Sequence, residues 1–150
     1  MKALFSSSLA SIVLLTACSD DNSLSQQATL SKNQNQWQAH AITDYKLTLR
    51  QSCYCARAGT HEIYLASGEV VEAYYTGLGN DAERESLDKS EYPSLLNVNK
   101  LFSLVSTQIE SGYLTQVSYD SEFGFPLTIE YAGPKGAEDI GGSITVLAFE

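Results

Sequence analysis

The chain has 150 residues, 43% of them hydrophobic, with 18 acidic side chains against 9 basic ones and a net charge of −9. That balance opposes nucleic-acid binding, which needs cationic side chains to displace phosphate counterions, and it opposes electrostatic docking onto anionic lipid. The length suits one domain with a core large enough to hold without staples.

Residues 1–17 read as a signal peptide. Lys2 supplies the positive start and Ala3 to Ala17 an apolar, small-residue run. A membrane-spanning helix needs about 20 consecutive apolar residues, and this run is too short and too rich in serine. Leu15-Thr16-Ala17-Cys18 closes the run in the pattern of a bacterial lipoprotein signal, which is cleaved beside a lipid-modified thiol. The mature chain is therefore expected to begin at Cys18, carrying a diacylglyceryl thioether and an N-acyl chain; each buried methylene contributes about 0.8 kcal/mol, so several chains anchor durably. Processing removes Lys2 and no acid, which leaves the mature chain one unit more negative. Ser19 stands where an aspartate would resemble an inner-membrane retention signal, so the pattern resembles outer-membrane sorting, with the domain facing the periplasm. The expected contacts are the membrane, through the lipid on Cys18, and an envelope protein.

Residues 18–35 are dominated by Ser, Asn, Gln and Asp, with scattered Leu24 and Leu30, a composition that buries too little apolar area to offset chain entropy. It predicts a flexible tether with a reach of about 20–25 Å. The folded domain is then expected over residues 36–150, opening with a short helix or turn in which Trp37 and Ala41 lie one turn apart.

Tyr45, Leu47 and Leu49 alternate with Lys46, Thr48 and Arg50, the pattern of a strand with one wet face. Glu62 to Ala66 and Val70 to Thr76 are two more strands, with Ser67-Gly68 between them as a two-residue hairpin turn. Residues 77–96, rich in charge, glycine and proline, predict a long exposed connection. Asn97 can cap a helix whose Val98, Leu101, Phe102, Val105 and Ile109 form one apolar stripe, ended by Gly112. Tyr113 to Asp120, Pro126 to Tyr131 and Ser143 to Phe149 return to strand character. One stripe cannot be buried alone, so the fold class is α+β: a single antiparallel sheet in the order β-β-β-α-β-β-β with the amphipathic helix on one face.

Cys53-Tyr54-Cys55 is the chemically unusual cluster. With Cys18 consumed by lipid, two thiols remain, an even count in an oxidising compartment. On a flat strand their Cα atoms would lie about 6.6 Å apart, near the upper limit for a disulfide, so a bond requires the chain to bend. Several readings stay open: a structural disulfide, a redox-active or partner-exchanging pair, a soft-metal site in which His61 joins the two sulfurs, and two buried inert thiols. His61 itself reads as a strand-edge residue, and Tyr64, Tyr74 and Tyr75 as half-buried sheet positions with a recognition surface as the alternative.

Trp37, Ile42, Asp44-Tyr45-Lys46-Leu47, Cys53-Tyr54-Cys55, Gly68-Glu69-Val70, Leu101-Phe102, Tyr119-Asp120 and Gly124-Phe125-Pro126 fall in an order that resembles a bacterial family known only as a domain of unknown function. Its members are secreted proteins or lipoproteins in which a tyrosine-led strand runs into Cys-aromatic-Cys. The resemblance spans residues 37–150 and brings no activity with it.

Catalysis needs a nucleophile, a base and an orienting group, or a metal, in one pocket. With His40 and His61 as the only histidines and no nucleophile-elbow, zinc or phosphate-loop pattern, the sequence assigns no catalytic residue, no metal ligand and no cofactor. Asp120 with Glu122, and Glu138 with Asp139, read as solvated turn acids. The expected function is a non-enzymatic, lipid-anchored binding or structural module, and the alternative a thiol-redox or soft-metal periplasmic protein using Cys53 and Cys55.

Overall fold

Alternation of buried and half-buried residues from Tyr45 onward builds a central strand, and the rest of the sheet grows outward from it on both sides. The computed structural model describes residues 21–79, 81–137 and 140–150; the expected signal peptide, Cys18 and the Glu138-Asp139 pair lie outside them. The element order is α1 (Asp21–His40), β1 (Tyr45–Cys53), β2 (Gly59–Ala66), β3 (Glu69–Gly77), β4 (Arg84–Ser86), a 3-10 helix (Lys89–Ser94), α2 (Val98–Ser111), β5 (Leu114–Tyr119), β6 (Pro126–Tyr131) and β7 (Gly142–Phe149). The seven strands form one open antiparallel sheet in the order β4-β3-β2-β1-β7-β6-β5. The α+β class and the single antiparallel sheet follow the expectation; β4 is an addition to it, and the short helix or turn expected around Trp37 is the last part of the much longer α1.

Leu47, Leu49, Ile63, Ala73, Ile129 and Ile144 line the covered face of the sheet and meet Val98, Leu101, Phe102, Val105 and Ile109 of α2. Asn97 caps α2 by accepting from the Lys100 N–H at 3.0 Å, and Gly112 ends it at φ 74°, a left-handed turn that glycine adopts without strain. Ser67 and Gly68 both have positive φ, as the turn between β2 and β3 requires.

The expected tether is corrected. Residues 21–35 belong to a helix, α1, in which Leu30 and Trp37 are buried. Its remaining hold is polar: Gln36 donates to the carbonyls of Ser121 and Glu122 at 3.0 and 2.9 Å. The expected exposed connection over 77–96 is corrected in part, since it contains β4 and the 3-10 helix and buries Leu87 and Leu95.

Among the described residues no helix covers the opposite face of the sheet, which is polar. Arg84 forms a forked pair with Glu62, at 2.9 and 3.3 Å, and lies over the Tyr74 ring, while Lys46 pairs with Glu150 at 3.3 Å. Tyr64 and Tyr74 sit half-buried here, edge to face at 6.2 Å. No helix among the described residues is long and apolar enough to cross a membrane.

Candidate functional site

β1 alternates, so Leu47, Leu49, Gln51 and Cys53 share the covered face until the strand ends at Cys53. The chain then bends and turns back toward β2 through residues 54–58, and Gly59 opens β2 at φ 153°. A Cβ on Gly59 would stand 2.4 Å from the Thr76 carbonyl oxygen, so the return depends on glycine. The bend brings the Cα atoms of Cys53 and Cys55 to 5.3 Å, and the two sulfurs are bonded. Cys53 is half-buried, Cys55 exposed, and Tyr54 between them is 90% exposed. The Gln51 amide donates toward both sulfurs, at 3.4 Å to Cys53 Sγ and 3.7 Å to Cys55 Sγ.

Beside the disulfide lies a cleft of about 300 Å³ lined by Gln51, Cys55, Arg57, His61, Glu91 and Leu95 among others. The Arg57 guanidinium bridges Glu85 at 2.7 Å and Glu91, and lies over the Tyr75 ring with 5.1 Å to its centroid. Glu91 works twice: its other oxygen takes the Asp88 N–H in a reciprocal cap that starts the 3-10 helix. The hydrogen bond to Glu85, with the Glu91 carboxylate beside it, pushes the Arg57 guanidinium above its ordinary range.

His61 is buried rather than at a strand edge, with Nε2 3.1 Å from the Arg57 carbonyl and its ring edge-on to Tyr75. A carbonyl only accepts, so Nε2 carries the hydrogen. Burial, and then the Arg57 charge, push the imidazole below its ordinary range and keep it neutral. The soft-metal alternative would need both sulfurs as free thiolates. The two sulfurs are bonded to each other, and no group of three or more His, Cys, Asp or Glu gathers at metal-holding distance among the described residues.

The motif residues outside the cysteine cluster meet at the other end of the sheet. Trp37 stands edge-on to Tyr45 at 5.7 Å, Phe125 at 6.1 Å and Phe149 at 5.7 Å. Asp120 Oδ1 accepts from the N–H groups of Glu122 and Phe123, which fixes the turn that carries Gly124. A Cβ on Gly124, at φ 82°, would stand 2.6 Å from the Asn33 carbonyl oxygen. Tyr-Asp and Gly-aromatic-Pro therefore form the seat of α1, and the Asp120–Glu122 pair serves as turn chemistry. Arg57, Glu85, Glu91 and Gln51 were not legible as site residues; Arg57, two positions beyond Cys55, was the one signal available.

Fold and site together define a single-sheet α+β domain with a disulfide between two cysteines separated by one residue at a strand end. The chain belongs to a family of unknown function (DUF6174), which matches residues 29–150. Among curated proteins the chain has no match.

Proposed function

We propose that this protein is a lipid-anchored cell-envelope module, fixed to the periplasmic face of the outer membrane by acyl chains on Cys18, which binds an envelope partner at the cleft beside Cys53 and Cys55. The observation that carries the proposal is Cys18 itself, placed directly after Leu15-Thr16-Ala17. The cleft supports the binding role. It joins apolar Leu87, Leu95 and Leu96 to the Arg57–Glu91 pair, a mixed lining that suits a polypeptide surface. Intact mass of membrane-extracted protein tests the anchor: acyl mass is expected on the wild type and absent from Cys18→Ala, and equal masses would end the proposal. Crosslinked pull-down tests the cleft, with capture expected to fall in Arg57→Glu; unchanged capture would move the binding elsewhere.

A second reading, thiol exchange, is favoured by one observation, the exposure of Cys55 in a bonded pair. A thiolate of a client dithiol attacks Cys55 Sγ, the bond to Cys53 breaks, and its electron pair leaves on Cys53 Sγ beside the Gln51 amide. The second client thiolate then attacks the client sulfur of the mixed disulfide and releases Cys55. Two electrons have passed from client to protein, the client dithiol has become a disulfide, and the two cysteines have taken up protons. Incubation with a reduced dithiol peptide is expected to produce two free thiols on the protein for each peptide disulfide formed. An unreactive pair rejects the reading.

A further inference from the structure

We infer that the end of the sheet carrying Cys53 is a lipid-contacting face, which rests on a zwitterionic phospholipid leaflet through Leu24, Tyr54, Leu78 and Ile140. The inference deepens the lipid-anchor proposal and rests on it.

Strand register defines that end. Cys53 pairs with Gly142, Gly142 with Tyr131, and Tyr131 with Leu114. On the other side Gln51 pairs with Gly59, Gly59 with Gly77, and Thr76 with Arg84. The beginnings of β2, β4, β5 and β7 and the ends of β1, β3 and β6 thus lie together. The N-terminal turn of α1 reaches the same end, because Asn22, Ser23 and Gln26 share a cavity of about 210 Å³ with Ile109, Gly112 and Leu114. Cys18 precedes Asp21 by three residues, at most about 11 Å of extended chain. A bilayer that holds the acyl chains therefore lies close to this end of the domain.

Among the described residues six large hydrophobic side chains are exposed. Four belong to this end: Leu24 at 62% in the α1 N-terminal turn, Tyr54 at 90% just after β1, Leu78 at 62% just after β3, and Ile140 at 62% just before β7. Val71 and Leu147 belong to the opposite half of the sheet, near the Ser67-Gly68 turn and the Leu47–Phe149 pair. Scattered exposed hydrophobics are ordinary, so the significance lies in the gathering of four at the end from which the anchor departs. Tyrosine suits such a place, since its ring enters the interface while its hydroxyl stays wet.

Charge selects the kind of lipid. A chain of net charge −9 gains nothing from anionic headgroups, so the contact is apolar and insensitive to salt. Four side chains would hold a free protein only weakly. An anchored one makes the contact intramolecularly, at high effective concentration, so little intrinsic affinity is needed.

The test is covalent footprinting of the acylated full-length protein on phosphatidylcholine–phosphatidylethanolamine vesicles, read residue by residue by mass spectrometry. Labelling of Leu24, Tyr54, Leu78 and Ile140, each scaled to its exposure, is expected to fall severalfold below that of Val71 and Leu147, and to stay low in high salt. In the combined variant Leu24→Ser, Tyr54→Ser, Leu78→Ser and Ile140→Ser, labelling of Ala56 and Lys135 is expected to rise; should that variant misfold, the wild-type pattern alone decides. Acylated, vesicle-bound protein in which the four label as readily as Val71 and Leu147 overturns the inference and leaves the anchor standing. Protein without acyl mass overturns the anchor, and this face with it.

Discussion

At the Tyr45 end of the sheet, Trp37, Tyr45, Phe125 and Phe149 interlock around a turn pinned by Asp120, while at the Cys53 end the chain returns through exposed residues held by one disulfide and the Arg57 ion pairs. The first end has buried rings and satisfied turn groups; the second has exposed Tyr54, Cys55 and Ile140. The densest ring packing and the most exposed side chains thus lie at opposite ends of the sheet.

Substitutions can break that contrast. Trp37→Ala removes three ring contacts and empties the seat of α1, for an expected loss of about 3–5 kcal/mol by denaturant unfolding. Gly124→Ala places a methyl against the Asn33 carbonyl at a left-handed φ, for about 1–3 kcal/mol in the same measurement. Replacing both Cys53 and Cys55 by serine opens only a very small ring, so the expected loss is about 1–2 kcal/mol. A cysteine variant that cost as much as Trp37→Ala would erase the distinction between the ends.

A pH series sharpens the contrast at lower amplitude. The folded His61 titrates below its ordinary value of 6.5, so as pH falls the unfolded chain takes up a proton first. Its contribution is complete above about 6.5 and declines as pH drops from there to the depressed folded value. His61→Phe is expected to remove that part of the slope between pH 7.5 and 5.5, estimates set by the ordinary histidine range, as read from unfolding midpoints. Retention of the full slope would assign it to other groups.

β1, β2 and α2 were legible because their apolar positions repeat at two or at three and four, and because Asn97, Gly112 and Ser67-Gly68 carry their own turn chemistry. α1 was not. Its buried Leu30 and Trp37 are seven residues apart, and its seat is made of carbonyls, Gln36 and the missing side chain of Gly124, none of which leaves a hydrophobic period. The bent, bonded Cys53–Cys55 unit agreed with the requirement set by a flat strand's span. The cleft beside it was hidden because Glu85 and Glu91 reach Arg57 across about 30 positions of sequence, and ion pairs at that separation have no periodic signature.

The face of the sheet opposite the helices ends in β4, three exposed residues that include Arg84 and Glu85. A protein tied to a surface is concentrated in two dimensions, where strand-to-strand annealing between neighbours is most readily seeded. An edge this short and this charged offers no ladder to extend, and the hydrated Glu62–Arg84–Tyr74 array beside it gives a neighbouring copy nothing dry to adhere to. At the β4 edge, neighbouring copies in a crowded layer therefore find no strand to extend.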